Sequence, residues 1–275
     1  MLSLIDHYFI KKPYVRRFVT RLIAGDRTVR IKLLGAEMEV NTILEHGLFR
    51  AARLTRTVSV FRDELPILMH LMGLLQPFDT FLDIGANVGI YAVNVARMKS
   101  VYPNLKVYAF EPNPDTAARL RANTAPWQVE CYECALSDHD GNLNFVGGAD
   151  SKVYTTIENA SAYSILSEQS NRPCKRLDGI PIEGDSIIMK IDVEGQEWEV
   201  LSGASSYFEA DRVKAVYLDG YKDRRARKFL QEYKFVFFNG RTLKTAEPET
   251  QHLLAFRREK FGCDLLVASR NPNAL

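Results

Sequence analysis

Asp83, Glu111, Asp138, Asp192 and Glu194 each stand where a short apolar run gives way to turn-forming residues, in TFLDIGANVG, KVYAFEP, ALSDHDG and MKIDVEG. A carboxylate at such a point accepts hydrogen bonds from hydroxyls and amines and attracts a cation, whereas it repels phosphate. In the first stretch Gly85 and Gly89 let the backbone come close to a ligand, with Ala86 and Asn87 between them and a helix-like pattern following. The spacing is G-A-N-V-G, not the G-x-G-x-x-G of dinucleotide-binding turns, and Asp83 would repel a pyrophosphate held there. A ligand carrying positive charge is expected. S-adenosylmethionine, with its ammonium and sulfonium, meets that condition.

Glu111, followed by Pro112, ends the next strand-like run, where an acid can accept both hydroxyls of an adenosine ribose. NAD has the same ribose, so Glu111 alone does not choose between the two ligands. After the third run, Ser137 and Asp138 stand where a side chain could accept from the adenine amino group. The cofactor set expected from sequence is therefore Asp83, Gly85, Ala86, Asn87, Gly89, Glu111, Pro112, Ser137 and Asp138. For each acid taken singly, the alternative is a helix N-cap or a turn residue.

Lys190, Asp192 and Glu194 share one strand face if extension persists through MKIDVEG. Charged residues on a strand buried on both faces are costly unless paired or placed at its end. An alcohol is a poor nucleophile until its proton is removed, so Asp192 is the first candidate for a base or an acceptor-orienting acid, and Glu194 the second. A divalent metal between Asp192, Glu194 and Asp219 is a further, less favoured reading. The structural alternative is that Lys190 pairs with one acid and Glu194 caps a helix starting near Gln196. The Asp/Asn-Pro-Pro-aromatic motif of nucleobase amino methylation is absent from this stretch, which favours a hydroxyl acceptor.

Positioning these residues requires a parallel sheet. Strands are expected at 80–84, 106–111, 129–136, 186–193, 213–219, 234–239 and 252–258, alternating with helices at 90–98, 114–123, 197–207 and 224–233. No helical spacer separates the last two strands, so they are expected to pair as an antiparallel hairpin at the sheet edge. Residues 1–79 read as an N-terminal extension on an 80–275 domain. In the extension, YVRRFVTRLI (14–23) is an amphipathic helix preceded by Pro13, TVRIKLLGAEMEVN a hairpin turning at Gly35, and 61–76 a second helix. The apolar side of the first helix is expected to pack on the main domain, or else to dock on a membrane surface beside its arginines.

The remaining composition narrows the field. A net charge of +2 made of many charges of both signs asks for no polyanionic partner, and no nucleic acid is expected. No apolar run is long enough to span a bilayer and no secretion signal is visible, which reads as a cytoplasmic protein. Cys131 and Cys134 fall on opposite faces of one expected strand, so they read as buried, unlinked thiols, and Cys174 reads as structural. The five histidines lack ligand spacing, with His139 a loop residue beside Asp138. Arg224, Arg225 and Arg227 read as a solvated basic helix start, or as a site for an anionic glycan or lipid phosphate.

The stretches FLDIGANVGIYA, VYAFEPNPDTAARLRAN, ALSDHDG and IIMKIDVEGQEWEVLSGA resemble the successive motifs of the FkbM family of S-adenosylmethionine-dependent methyltransferases, K-I-D-V-E-G-Q-E being the most specific. The resemblance implies a class I, Rossmann-like α/β fold with a seven-stranded, mostly parallel sheet covered by helices on both faces. It also implies O-methylation of a sugar, glycolipid or related glycoconjugate, or of a polyketide or other small metabolite. A non-catalytic adenosine-binding module is the remaining alternative. CKRLDGI matches the family's Leu-Asp element, and SAYSIL stands where members have a serine-containing loop near the cofactor. After the fifth strand the family usually shows Glu followed by His or a similar group. Here YLDGY stands instead, which puts Asp219 and Tyr221 at the acceptor pocket.

Overall fold

The computed structural model describes residues 13–53, 60–146, 155–156, 169–220 and 223–261. The loop 161–166, Tyr221 and Cys263 lie outside them. The main sheet holds seven described strands in the order β5 (Glu130–Tyr132), β4 (Lys106–Phe110), β3 (Thr80–Ile84), β10 (Ile187–Ile191), β11 (Val213–Asp219), β13 (His252–Phe256) and β12 (Val236–Asn239). All neighbours are parallel except at β13, which runs antiparallel to both β11 and β12. The expected hairpin forms, and its second strand inserts between the first and the rest of the sheet.

Strand parity divides the core into two layers. Leu82, Ile84, Met189, Ile191, Val216 and Leu218 face one layer, and Phe81, Ile188, Ala215 and Tyr217 the other. Helices α4 (Ile90–Ala96), α5 (Pro114–Thr124), α6 (Glu197–Ser202), α7 (Ser205–Glu209) and α8 (Arg224–Glu232) connect the strands. Pro114 and Asp223 show why two of these helices start where they do: Pro114 follows an Asn113 side chain that accepts from the Thr116 amide, and the Asp223 side chain accepts from Arg225.

Four elements differ from the sequence reading. The run 129–136 is two strands: β5 stays in the main sheet, while β6 (Ala135–Leu136) leaves it for a second sheet with β9 (Gln169–Lys175), β7 (Gly141–Val146) and β8 (Thr155–Thr156). Polar residues such as Asn142, Asn144 and Asn171 hide β7 and β9 from a periodicity search. Cys131 and Cys134 face opposite core layers, and the described cysteines are free thiols. The helix expected at 197–207 breaks between α6 and α7 at Gly203–Ala204. The fourth strand stops at Ile191, and Glu194 sits at φ +52°, so extension does not carry Lys190, Asp192 and Glu194 along one face.

The fourth difference concerns helix α1 (Pro13–Ala24), which buries Thr20 and turns Phe18, Leu22 and Ile23 to solvent, the last 81% exposed. At these three residues the apolar side does not pack on the core. The described residues 28–53 of the extension do. The hairpin of β1 (Thr28–Leu33) and β2 (Ala36–Asn41) turns through Leu34 and Gly35, both at positive φ. It packs with α2 (His46–Arg53) against Val88 and Val93. Polar contacts lock it in place: Arg97 donates to the Leu34 carbonyl at 2.7 Å, Asn123 bonds the backbone of Glu39, and Arg119 pairs with the buried Glu45 at 3.0 Å. A π-helical turn (Val60–Glu64) and α3 (Leu65–Gly73), carrying Pro66 near its start, lead into β3.

Candidate active site

Register places the chemistry in one row. Phe110, Ile84, Ile191, Leu218 and Leu253 lie side by side across β4, β3, β10, β11 and β13. The next residues toward the carboxyl edge are Glu111, Gly85, Asp192 and Asp219, with His252 opposite Asp219 on the antiparallel strand. The carboxyl edge of an open parallel sheet is where such folds bind ligands.

A cleft enclosing about 730 Å³, part of it open to solvent, covers the first half of that row. Gly85, Asn87, Glu111, Pro112, Asp192, Glu194 and Gln196 line it on the polar side. Leu136, Leu143 and Phe145, from the second sheet, supply much of its apolar side. Of the sequence-derived cofactor set, Gly85, Asn87, Glu111 and Pro112 meet in this cleft. Ser137 is buried with its hydroxyl on Asp138, and Asp138 is half exposed and bonded to His139 at 2.8 Å; neither lines the cleft.

The turn after β3 is built around close approach. Gly85 sits at φ +72°, and a Cβ there would overlap the carbonyl oxygen of Asp192. Its neighbour Ala86 is buried, with its amide on the Phe110 carbonyl. Gly89, at φ +87°, serves helix packing: a Cβ would lie 2.7 Å from Leu120. Glu111 is 8% exposed and braces the turn from the next strand, accepting from the Asn87 amide with Oε2 and from the Asn113 amide with Oε1, each at 2.9 Å. Burial pushes its carboxyl up to about 7 in spite of those two donors. Each oxygen keeps a lone pair for a further donor.

Asp83 lies beneath the turn with no exposed surface. One oxygen accepts from the Ala92 amide at 2.9 Å, and the other faces Lys190 Nζ at 3.2 Å. The positive partner expected of a ligand is thus already supplied by the protein, and Asp83 does not itself reach the cleft. Burial alone would lower the Lys190 ammonium, but Asp83, Asp192 and Glu64 together hold it above its ordinary range. Lys190 also donates to the Gly85 carbonyl at 2.8 Å and lies 3.6 Å from Asp192.

Asp192 keeps 37% of its side-chain exposure at the cleft mouth. Desolvation pushes its carboxyl up to about 7; Lys190 opposes this, while Asp219, Glu194 and Glu64 add to it. A carboxylate poised near neutrality can orient a hydroxyl and share its proton. The helix after this turn has Gln196 as its N-cap residue with no side-chain cap bond, while Glu197 fastens the Gly195 amide at 3.0 Å. Among the described residues no three His, Cys, Asp or Glu side chains converge to hold a metal ion.

In the second half of the row, sequence reasoning named Asp219 but missed its partner His252. Asp219 meets His252 Nδ1 at 2.5 Å, and the Tyr217 hydroxyl donates to the same Asp219 oxygen at 3.1 Å. Nearby, Tyr91 donates to Glu64 at 2.7 Å. The signal was a lone histidine at a strand end, readable only once the antiparallel pairing of β13 is known. The arginines of α8 are largely engaged: Arg225 with Asp223 and Glu199, and Arg227 with the carbonyls of Ala246 and Glu247.

A family model described as the methyltransferase FkbM domain matches residues 83–237. Hexuronic acid methyltransferase AglP of Haloferax volcanii is 28% identical over 156 residues, 54% of this chain and 59% of AglP. The 2-O-methyltransferase NoeI of Sinorhizobium fredii is 28% identical over 190 residues, 60% of this chain and 76% of NoeI. This chain therefore spans less than two thirds of AglP. Among solved structures, a methyltransferase FkbM from Methylobacillus flagellatus KT is 16% identical, covering 67% of this chain and 45% of that one with a TM-score of 0.43. The matched residues contain the Gly85 turn, Glu111, Asp192 and Asp219, and the chain belongs to the FkbM family of S-adenosylmethionine-dependent methyltransferases.

Proposed function

We propose that the chain transfers a methyl group from S-adenosylmethionine to a hydroxyl of a sugar, glycolipid or related glycoconjugate. The observation that carries this reading is Asp192: a partly exposed carboxylate lining the cleft at the end of the strand beside the Gly85 turn, 3.6 Å from Lys190. It suits a neutral alcohol whose proton must be received or whose oxygen must be aligned. Relatives named for hexuronic acid methylation and 2-O-methylation support a carbohydrate acceptor.

The cleft residues fit the donor. Glu111 has lone pairs to spare for two vicinal hydroxyls, and Leu136, Leu143 and Phe145 offer an apolar wall to a flat base. Gly85 and Asn87 border the same space, with Asp192 and Glu194 at its other side. When bound, the sulfonium supplies an activated methyl group. The protein's part is to hold the ribose, exclude water with the apolar wall and present the acceptor oxygen at Asp192. Glu194 lines the cleft beyond Asp192 as a second acid for acceptor hydroxyls. A divalent metal is left out of this reading because Lys190 already places a cation 3.6 Å from Asp192.

No helix among the described residues is long and apolar enough to cross a membrane. The exposed Phe18, Leu22 and Ile23 of α1 support a peripheral contact with a lipid surface, where a glycolipid acceptor would be met. The function is tested by incubating the protein with methyl-13C-labelled S-adenosylmethionine and methyl glycosides of glucuronic acid and glucose. A new O-methyl carbon signal on a glycoside is expected. Transfer only to nitrogen or carbon acceptors would refute hydroxyl methylation.

A further inference from the structure

We infer that His252, oriented by Asp219, is the catalytic base that takes the proton of the acceptor hydroxyl; this rests on the hydroxyl-methylation reading above. The inference starts from the row at the carboxyl edge, where Asp219 follows Asp192 on the adjacent parallel strand and His252 follows Asp219 on the antiparallel one. Asp219 and His252 lie at the next two strand ends, outside the cleft lining, so the acceptor hydroxyl is placed between Asp192 and this pair.

The tautomer follows from hydrogen-bond chemistry. Nδ1 of His252 lies 2.5 Å from Asp219 Oδ1, and a carboxylate oxygen only accepts, so Nδ1 carries the proton. The Tyr217 hydroxyl reaches the same oxygen at 3.1 Å. Burial, reinforced by Asp219, holds the Tyr217 phenol far above its ordinary range, so it remains a donor and cannot compete as base. Two donors thus converge on one carboxylate oxygen and fix the ring. Nδ1 also lies 3.2 Å from the Tyr217 hydroxyl oxygen, and each hydrogen bond of the ring among the described residues is made through Nδ1, which leaves Nε2 with its lone pair. Side-chain exposure of 23% for both His252 and Asp219 leaves the pair accessible from the edge. The backbone is fixed too, since the His252 carbonyl accepts from the Gly240 amide at 2.7 Å.

The proton transfer balances. The acceptor oxygen takes the methyl group and yields its proton to Nε2, while the electron pair of the broken carbon–sulfur bond returns to sulfur as a neutral thioether. The imidazolium is stabilised by Asp219 and releases its proton to solvent. Asp192, with Lys190 3.6 Å away, then has the orienting role. Charged and titratable groups beside the ring are Tyr217 and Asp219 on β11 and, on the π-helical turn, Asp63, which is ion-paired with Arg241; Glu64 and Asp192 act on the neighbouring Tyr217. Asp63, held low first of all by its hydrogen bond from Arg62, also senses the histidine ring.

The test combines nitrogen-15 NMR of His252 with turnover of His252→Ala and His252→Gln. In the wild type, neutral His252 should show a protonated Nδ1 and a bare Nε2. Both variants should bind S-adenosylhomocysteine within about twofold of wild type while losing roughly 10²- to 10⁴-fold in turnover of the two methyl glycosides. Added imidazole should restore part of the His252→Ala rate. Undiminished turnover in His252→Ala, or a neutral ring protonated at Nε2, would overturn the assignment. A wild type that binds S-adenosylhomocysteine but methylates neither glycoside refutes the acceptor class on which the assignment rests, whereas a neutral ring protonated at Nε2 refutes the base whatever the acceptor.

Discussion

The ammonium of Lys190 stands 3.2 Å from the fully enclosed carboxylate of Asp83 on the neighbouring strand. Register pairs the two residues directly, so the charges meet inside the sheet just below the cleft. Charge reasoning from Asp83 alone points to a cationic ligand. The fold meets that charge itself, and the donor class rests instead on Glu111 and on family membership.

Breaking this pair leaves an unmatched buried charge. Lys190→Met should lower stability by about 3–5 kcal/mol, and Asp83→Asn combined with it should recover part of the loss. Urea unfolding of the two singles and the double measures the coupling. Additive losses would show that the pair does not interact as a unit.

Glu111 carries opposite demands in folding and binding. Its carboxyl is raised to about 7 when folded, against the ordinary value of 4.5, so the folded chain holds the proton that the unfolded chain has already released. Its contribution to stability therefore falls as pH rises through that window and is lowest above 7. Glu111→Gln should flatten the fall in stability between pH 6 and 8 by removing the titrating group, should lose one of the two backbone hydrogen bonds because its amide nitrogen cannot accept, and should weaken S-adenosylhomocysteine. In the wild type, affinity should drop as pH falls below about 7, where the carboxylate is lost. Thermal unfolding and titration at pH 6 and 8 check both signs.

Asp192→Asn keeps the shape of the cleft mouth and removes the charge. Donor affinity should stay within about twofold and turnover should fall about 100-fold or more. Chelation by EDTA should leave wild-type turnover unchanged, because the cation beside Asp192 is Lys190. Full activity in Asp192→Asn, or loss of activity on chelation, would each displace Asp192 from the role given to it.

Gly85→Ala would drive a methyl group into the Asp192 carbonyl from a positive-φ position. Binding and turnover should both be lost, because the turn and the end of β10 must separate. Unperturbed donor binding would mean that the turn lies away from the cofactor.

Glu111 and the Gly85 turn are legible in the sequence because an acid or glycine directly after an apolar run marks a strand end, and local pattern suffices to find it. The break in helix 197–207 and the departure of β6 from the main sheet are not, since both depend on how distant segments pack. Asp138 is a well-marked acid after a strand-like run, yet it bonds His139 and is not among the residues lining the cleft. His252 is the opposite case. Its partner Asp219 lies 33 positions earlier, and only the insertion of β13 beside β11 brings the two together.

The most direct measurement is calorimetric titration of wild type and Glu111→Ala with S-adenosylhomocysteine, with NAD as the control ligand. Micromolar binding to wild type, about ten- to hundredfold weaker binding to the variant and no binding of NAD are expected, since charge-assisted hydrogen bonds to the ribose contribute about 1.5–3 kcal/mol. Equal affinity in wild type and variant, or binding of NAD in place of S-adenosylhomocysteine, would contradict the placement of the methyl donor in this cleft.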